Sequence, residues 1–351
     1  MRSCIVANGK YLSTTFALLC LAIVLLAAPA ARASERLKPF VLASSASSSD
    51  LQQAVQQTEQ ALRAAGFTIV GSYAPYTDAA FADKQTVSAV VIGVTDPELA
   101  HAAAQTPFGG YAIVQRVAVT RISDSKGSSI EVSYTNPQYM AAAYRLKSDL
   151  AAVGAALAKA LGSTQDYGSH RGMTASDLHG YHYKIFMPYF DDMHRLARYA
   201  SYDEALAAVE AGLAQHAGGA SKVWQVAVPG KQQTLFGVGL AGTPDNACSG
   251  DEYIMHRIDF GMPKSTANVP YAILVSGDKA YSLATKFRIA INFPDLSMMG
   301  SHSFMSIMCA PDAIEKALKA VARTKPAAPA PAAAASAANP AAATSKSGSS
   351  R

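Results

Sequence analysis

The chain has 351 residues, 50% of them hydrophobic and 16% charged, and a formal net charge of +5. Of the 30 lysine and arginine residues, three lie in residues 1–33 and three more after residue 324. The remaining 24 are nearly balanced by 25 acidic residues. A nucleic-acid-binding protein concentrates lysine and arginine in its folded part. The charge distribution therefore argues against a nucleic-acid partner.

Residues 1–33 have the layout of a secretory signal peptide. Arg2 and Lys10 precede an apolar run, Phe16–Ala28, and small residues lead to Ala33. As a helix this run would be only ~20 Å long, against a hydrocarbon core of ~30 Å, so a permanent anchor is the weaker alternative. No later stretch is long and apolar enough to cross a membrane, so we expect a periplasmic or secreted protein without a stable span once the signal is removed.

Two of the four cysteines, Cys4 and Cys20, leave with the signal peptide. The other two are Cys248 and Cys309, and in an oxidising compartment such a pair favours a disulfide over a reactive site.

The first half of the folded part, residues 38–162, predicts strand, helix, several strands and helix. A short strand at Phe40–Leu42 precedes a helix over 50–65, whose apolar residues recur at helical spacing. Strand-like runs follow at 67–70, 87–94, 111–120 and 130–134, and a helix over 138–161 closes the unit.

The second half, residues 181–322, predicts the same order. Its strands are expected at 183–190, 223–228, 234–240, 253–260 and later runs including 289–293, and its helices at 202–214 and 312–321. Tyr202, Leu206, Val209 and Leu213 match Leu51, Val55, Thr58 and Leu62 at a constant offset. We therefore predict a duplicated α+β unit, an antiparallel sheet with helices on one face; two unrelated domains are the alternative.

Two further segments complete the organisation. Residues 163–180 are rich in glycine and serine and are predicted to be a linker. Residues 323–351 are rich in alanine and proline and have no large apolar side chains, so we expect a disordered tail.

Three segments of the first half carry a family resemblance: Val91–Pro97, Tyr111–Val117 and Ile130–Pro137. Together they resemble the domain-of-unknown-function 302 family, and the second half resembles a divergent version, with Gly239 and Pro244 near the positions of Gly93 and Pro97. The resemblance implies a fold similar to the TATA-binding-protein type, without implying DNA binding. It implies no settled activity, although some members occur in sulfur-oxidising bacteria.

The segment Gly237–Gly242 satisfies the pattern G-x-G-x-x-G. A dinucleotide site needs these glycines between a strand and a helix. Here they precede Thr243-Pro244-Asp245, which favours a turn, so we expect them to thin or bend a strand.

The strongest chemical candidate is the segment from Met298 to Cys309. On one helix, Met298, His302, Met305 and Cys309 would share a face, and thioether, imidazole and thiolate ligands suit Cu(I). The alternative is a packing stripe, since methionine is an adaptable core residue and Gly300 disfavours a helix. We expect no cofactor, with Cu(I) as the alternative.

A ligand-pocket rim is the other candidate, formed by His182, Tyr189, Asp191 and Asp192, which lie in an aromatic-rich segment ending in an acid pair. No catalytic motif is recognisable, so we expect a non-enzymatic module that binds a small molecule or a periplasmic protein. The alternative is a copper-binding or sulfur-metabolism-associated protein that uses the Met298 to Cys309 segment.

Overall fold

The structure is a computed structural model that describes residues 35–81 and 83–326. The predicted signal peptide and nearly all of the predicted tail lie outside the described residues. The fold is α+β, with two antiparallel sheets and several helices, as the sequence predicts.

The first sheet has six strands in the order β2-β3-β4-β5-β1-β6, and all neighbours are antiparallel. The strands are β1 (Phe40–Ser47), β2 (Thr68–Ala80), β3 (Thr86–Thr95), β4 (Gln115–Asp124), β5 (Gly127–Thr135) and β6 (Gln165–Tyr167). The helices are α1 (Leu51–Ala64), α2 (Pro97–Gln105), α3 (Pro137–Ala143), α4 (Ala151–Leu161) and α5 (Ala175–His179).

The second sheet has five strands in the order β7-β11-β10-β9-β8, again antiparallel. The strands are β7 (His194–Arg198), β8 (Ala220–Ala227), β9 (Gln233–Leu240), β10 (Tyr271–Ser276) and β11 (Lys279–Ser282). The helices are α6 (Tyr202–Ala214), α7 (Asp251–Ile258), α8 (Thr285–Asn292) and α9 (Ala310–Ala322), and short 3₁₀ segments include Pro244–Ser249, Thr266–Asn268 and Phe304–Ile307.

The two sheets share one topology. In each, a first strand and a helix precede four consecutive strands, and the first strand pairs with the last of those four: β1 with β5, and β7 with β11. Each half also has a helix between the second and third of these four strands, α2 and α7, and a short helix before its closing helix, α3 and α8. The order of elements that we predicted is therefore present in both halves.

Several predicted elements are wrong in type or extent. The predicted strand over 111–120 starts only at Gln115, after the 3₁₀ segment Gly109–Ala112, and the one at 67–70 extends to Ala80. Residues 253–260 lie largely in helix α7, and 289–293 lie mostly in helix α8, where we predicted strands. Residues 183–190 form turns, and the first strand of the second sheet is β7 instead. The predicted helix over 138–161 is two helices, because the backbone turns left-handed at Arg145 and Leu150 between them.

The predicted linker, residues 163–180, contains regular structure. Strand β6 pairs with β1, and the ring of Tyr167 packs against Phe40, with centroids 5.5 Å apart. Met173 forms an antiparallel bridge with Leu37. This segment therefore extends the first sheet before the chain enters the second half.

Each sheet buries one face under its own helices. In the first half, Leu62 of α1 and Leu157 of α4 pack in one cluster with Val117 and Val119 of β4. In the second half, the helix-covered face is formed by β9 and β10 beneath α6 and α9, with Val209, Leu213, Ile314, Phe236 and Ile273 in one cluster. These two cores are separate.

The opposite faces of the two sheets share an interior. Tyr139 of α3 packs in one cluster with Phe287 of α8 and Leu274 of β10, and its hydroxyl donates to the Ile291 carbonyl at 2.8 Å. The two halves therefore pack as one body through a common interface. Among the described helices, none is both long and apolar enough to cross a membrane.

Candidate functional site

The centre of the interface is the side chain of Trp224, on β8. A methyl group on Gly93 of β3 would lie 2.6 Å from the Trp224 ring, and one on Gly237 of β9 would lie 2.2 Å from it. Both glycines are required because the indole lies directly against the backbone. Gly237 thus leaves strand β9 without a side chain at this position, as the sequence predicts. The G-x-G-x-x-G segment Gly237–Gly242 starts in β9 and is followed by a 3₁₀ segment that begins at Pro244.

A groove of about 440 Å³ opens at one side of this interface. Strand β6 and the residues after it line one wall, and the loop after α7 together with the turn after α8 lines the other. We call it the inter-half groove; its lining residues are Lys38, Gln165, Tyr167, Gly168, Ser169, His170, Ile258, Asp259, Phe260, Gly261, Met262, Pro263, Ser265, Phe293, Asp295 and Leu296.

The groove is amphipathic. Phe260 and Met262 are each 50% exposed, although large apolar side chains are usually covered. Lys38, His170 and Asp295 supply the charged and polar lining, and the His170 amide donates to the Asp295 carboxylate. The groove therefore offers both apolar contact area and hydrogen-bonding groups to a small molecule.

A buried lysine supports the floor. Lys264 is 0% exposed, and its Nζ lies 2.7 Å from Asp83 Oδ2 and donates to the Asp259 carbonyl at 3.1 Å. Its backbone amide donates to Glu131 Oε2 at 2.8 Å, and its carbonyl accepts from the Tyr167 hydroxyl at 2.7 Å. Because a buried charge is costly unless it is paired, this network holds the two halves in register beneath the groove.

The carboxyl groups of this network differ in their proton affinity. Burial raises the pKa of Asp259 to about 7, although the charge of Lys264 and hydrogen bonds from the Ser265 amide oppose the rise. Burial also raises the pKa of Glu131. For Asp83, burial acts in the same direction, but the hydrogen bond and charge of Lys264 outweigh it and lower the pKa.

Another buried carboxyl, that of Asp251 at the start of α7, also joins the halves. Its Oδ2 accepts from the Leu240 amide at 2.9 Å and from the hydroxyl of Tyr73, on β2, at 3.2 Å. Burial raises its pKa to about 7, against the lowering effects of these hydrogen bonds and of Arg288. The Asp251 carboxyl is therefore partly protonated near neutral pH.

The predicted pocket-rim residues lie elsewhere, in the turns between α5 and β7. The His182 and Tyr189 rings lie 4.5 Å apart, and the Tyr189 amide donates to Asp192 at 2.9 Å. Tyr189 and Asp192 line a separate groove of about 510 Å³. Asp191 forms an ion pair with Arg145 at 2.9 Å, so the four residues do not converge on one pocket.

The predicted copper ligands do not share one helix face. The chain turns between Met298 and the 3₁₀ segment Phe304–Ile307, which contains Met305. His302 Nδ1 lies 3.0 Å from the Arg257 carbonyl oxygen, and its ring lies 4.7 Å from that of Phe260.

The cysteine pair belongs to the same region. The Sγ atoms of Cys248 and Cys309 are 2.12 Å apart, as in a disulfide, which leaves no thiolate there for a metal. No group of three or more His, Cys, Asp or Glu side chains is placed to hold a metal ion within residues 35–81 and 83–326.

Sequence reasoning missed the residues that build the groove and the buried network, among them Asp259, Phe260 and Lys264. The available signal was a charged residue inside an apolar run, as in Ile258-Asp259-Phe260, which marks a buried polar group in need of a partner. The partners Asp83 and Glu131 are more than a hundred residues away and carry no local mark.

A family comparison supports the predicted resemblance. The family model described as Domain of unknown function DUF302 matches residues 43–164. These residues form a DUF302 domain. The matched range runs from β1 to the end of α4, so the DUF302 domain contributes Asp83 and Glu131 to the buried network. Searches of the curated proteins and of the solved structures gave no match.

Proposed function

We propose that this protein is a periplasmic or secreted binding protein that holds a small amphipathic molecule in the inter-half groove. The observation that carries the proposal is the groove itself, about 440 Å³ with half-exposed Phe260 and Met262 beside charged groups. Ligand sites are clefts of ~300–1,000 Å³ that combine apolar walls with a few polar groups. Both halves line the groove, so the ligand would contact the DUF302 domain's flank and the second half together.

The buried network gives the groove a rigid floor. Lys264 is held on several sides, and Asp259 and Ser265 are fixed to each other by hydrogen bonds. A preformed site loses less conformational entropy on binding than a flexible one. The exposed side chains of the groove are therefore the residues to substitute in a test of binding.

The test is a fluorescence titration with N-phenyl-1-naphthylamine, an uncharged amphipathic probe. We expect saturable binding to the wild type and a loss of roughly tenfold in affinity for Phe260→Ala, since burying one aromatic side chain is worth ~1.5–3 kcal/mol. Phe186→Ala is the matched control, because Phe186 is 102% exposed and lies outside the groove. Equal affinities for wild type and Phe260→Ala, or equal losses in both variants, would refute the assignment.

The extracytoplasmic location rests on residues 1–33. We expect the mature chain to begin at Ser34, and the intact mass of protein recovered from a periplasmic or culture-medium fraction measures this directly. A full-length mass in the cytoplasmic fraction would contradict it.

The shared strand order supports one more part of the proposal, that the second half is a divergent copy of the first. Ancestral sequences reconstructed separately for the two halves should become more similar toward their roots. Reconstructions that fail to converge would contradict the duplication.

A further inference from the structure

A second, much smaller chamber lies inside the interface, beside Trp224 and outside the inter-half groove. It has a volume of about 20 Å³, room for about one water-sized particle. Its polar and charged lining includes Tyr111, Arg116, Trp224, Tyr271, Ser282 and Arg288. We call it the arginine chamber.

The chamber lining has an excess of hydrogen-bond donors. Five buried polar atoms of the lining have no hydrogen-bond partner among the described residues: Tyr111 Oη, Arg116 Nε, Trp224 Nε1, Tyr271 Oη and Ser282 Oγ. The arginine and indole nitrogens are donors only, so they are unable to pair with each other. Since nearly all buried polar groups in folded proteins are satisfied, two donor-only nitrogens and three unpaired hydroxyls on one small chamber call for an acceptor inside it.

The chamber is also positively charged. Arg288 is 4% exposed, stacks on the Tyr271 ring at 3.9 Å, and donates to the Asn268 and Pro270 carbonyls. No carboxylate oxygen of the described residues lies within 4.0 Å of a guanidinium nitrogen of Arg116 or Arg288. Burial lowers the pKa of Arg116, and the charge of Arg288 acts in the same direction.

A water molecule fits the space but not the chemistry. Water accepts about two hydrogen bonds and carries no charge, whereas the lining offers two cations and several unpaired donors. An anion accepts from all sides and offsets the buried positive charge. We propose that the arginine chamber binds a monovalent anion of about the size of chloride. This site is separate from the amphipathic ligand of the inter-half groove.

The chain carries its own reporter for this site. Trp224 is its only tryptophan, and at 4% exposure it is shielded from collisional quenching by ions in bulk solvent. Bromide and iodide quench indole fluorescence, so a halide held beside Trp224 gives a quench that saturates, and chloride competes for it. The titration uses the full chain at constant ionic strength with sulfate as the balancing anion, which is too large for the chamber.

The variants separate a built site from a general salt effect. We expect Arg116→Gln to weaken halide binding roughly tenfold or more, as expected for losing a hydrogen bond to a charged group, and Tyr111→Phe to weaken it by about threefold. Tyr111→Phe keeps the ring and its packing, so it serves where Arg116→Gln fails to fold. Arg121→Gln is the matched control, because Arg121 lies on the same strand but pairs with Asp78 outside the chamber.

Saturable quenching that chloride reverses, weakened by Arg116→Gln or Tyr111→Phe and not by Arg121→Gln, supports the proposal. Quenching that rises linearly with iodide overturns it. So does equal affinity in wild type and Tyr111→Phe, with near-ultraviolet circular dichroism confirming that the variant is folded.

Discussion

The buried carboxyl of Asp251 predicts a specific dependence of stability on pH. Its pKa is raised from 3.8 to about 7 in the folded protein. Between these values the folded state keeps a proton that the unfolded state has released, so the free energy of unfolding falls as pH rises. Each pH unit costs ~1.36 kcal/mol, so up to about 4 kcal/mol of stability present at pH 4 is lost by pH 7.

The substitution Asp251→Asn removes this loss. The asparagine oxygen still accepts from the Leu240 amide and the Tyr73 hydroxyl, and the side chain is unable to ionise. We therefore expect wild type and variant to be similarly stable near pH 4. At pH 8 the variant should be more stable, by up to about 4 kcal/mol.

Urea denaturation measured from pH 4 to pH 8 at constant ionic strength tests this expectation. A residual slope in Asp251→Asn is expected from Asp259, whose pKa is also raised to about 7. Asp245→Asn is the control, because it makes the same carboxyl-to-amide change at an exposed position on the neighbouring 3₁₀ segment. The reasoning is refuted if Asp251→Asn keeps the wild-type slope, or if it is the less stable protein at pH 8.

Two further predictions concern packing and covalent structure. Gly93→Ala should cost ~1–3 kcal/mol and shift the Trp224 emission maximum, since its methyl group meets the ring at 2.6 Å. Gly154→Ala, at a half-exposed helix position with no contact closer than 3.9 Å, should instead be neutral or stabilising by up to ~1 kcal/mol. Equal effects of the two alanines on urea midpoints would contradict the interface packing. Replacing Cys248 and Cys309 by serine should lower the free energy of unfolding by ~4 kcal/mol, because the crosslink spans 61 residues. Two free thiols in the denatured mature chain would contradict the crosslink.

Helix α6 shows how far local pattern reaches. Its bounds, Tyr202–Ala214, are those predicted, because its apolar residues lie on one face and Ser201 accepts from the Glu204 amide at its start. Strand β3 was predicted to within one residue at each end, since its valine-rich run is buried in the centre of a sheet. Elements with one clear partner face are thus readable from sequence.

Helix α8 shows where local pattern fails. Phe287, Ile289 and Ile291 are all buried, because the helix lies between the two halves and is covered on several sides. Periodicity does not distinguish such a helix from a strand. For helix α7, by contrast, a signal was present: acidic residues in the first turn and His256 and Arg257 in the last favour a helix through its dipole.

The candidate site was beyond local pattern altogether. The inter-half groove joins residues near 168 to residues near 260 and 295, and the network below it joins Lys264 to Asp83 and Glu131. Only the packing of the two sheets brings these segments together. The resemblance located the first domain but gave no information about this interface.

Hydrogen exchange of the full chain with and without N-phenyl-1-naphthylamine tests most directly whether the ligand binds between the halves. We expect the bound probe to slow exchange at amides in residues 165–170, 258–263 and 293–296, on both walls of the inter-half groove. Protection confined to residues 186–194, which border the other groove, or protection on one wall alone, would contradict binding between the two halves.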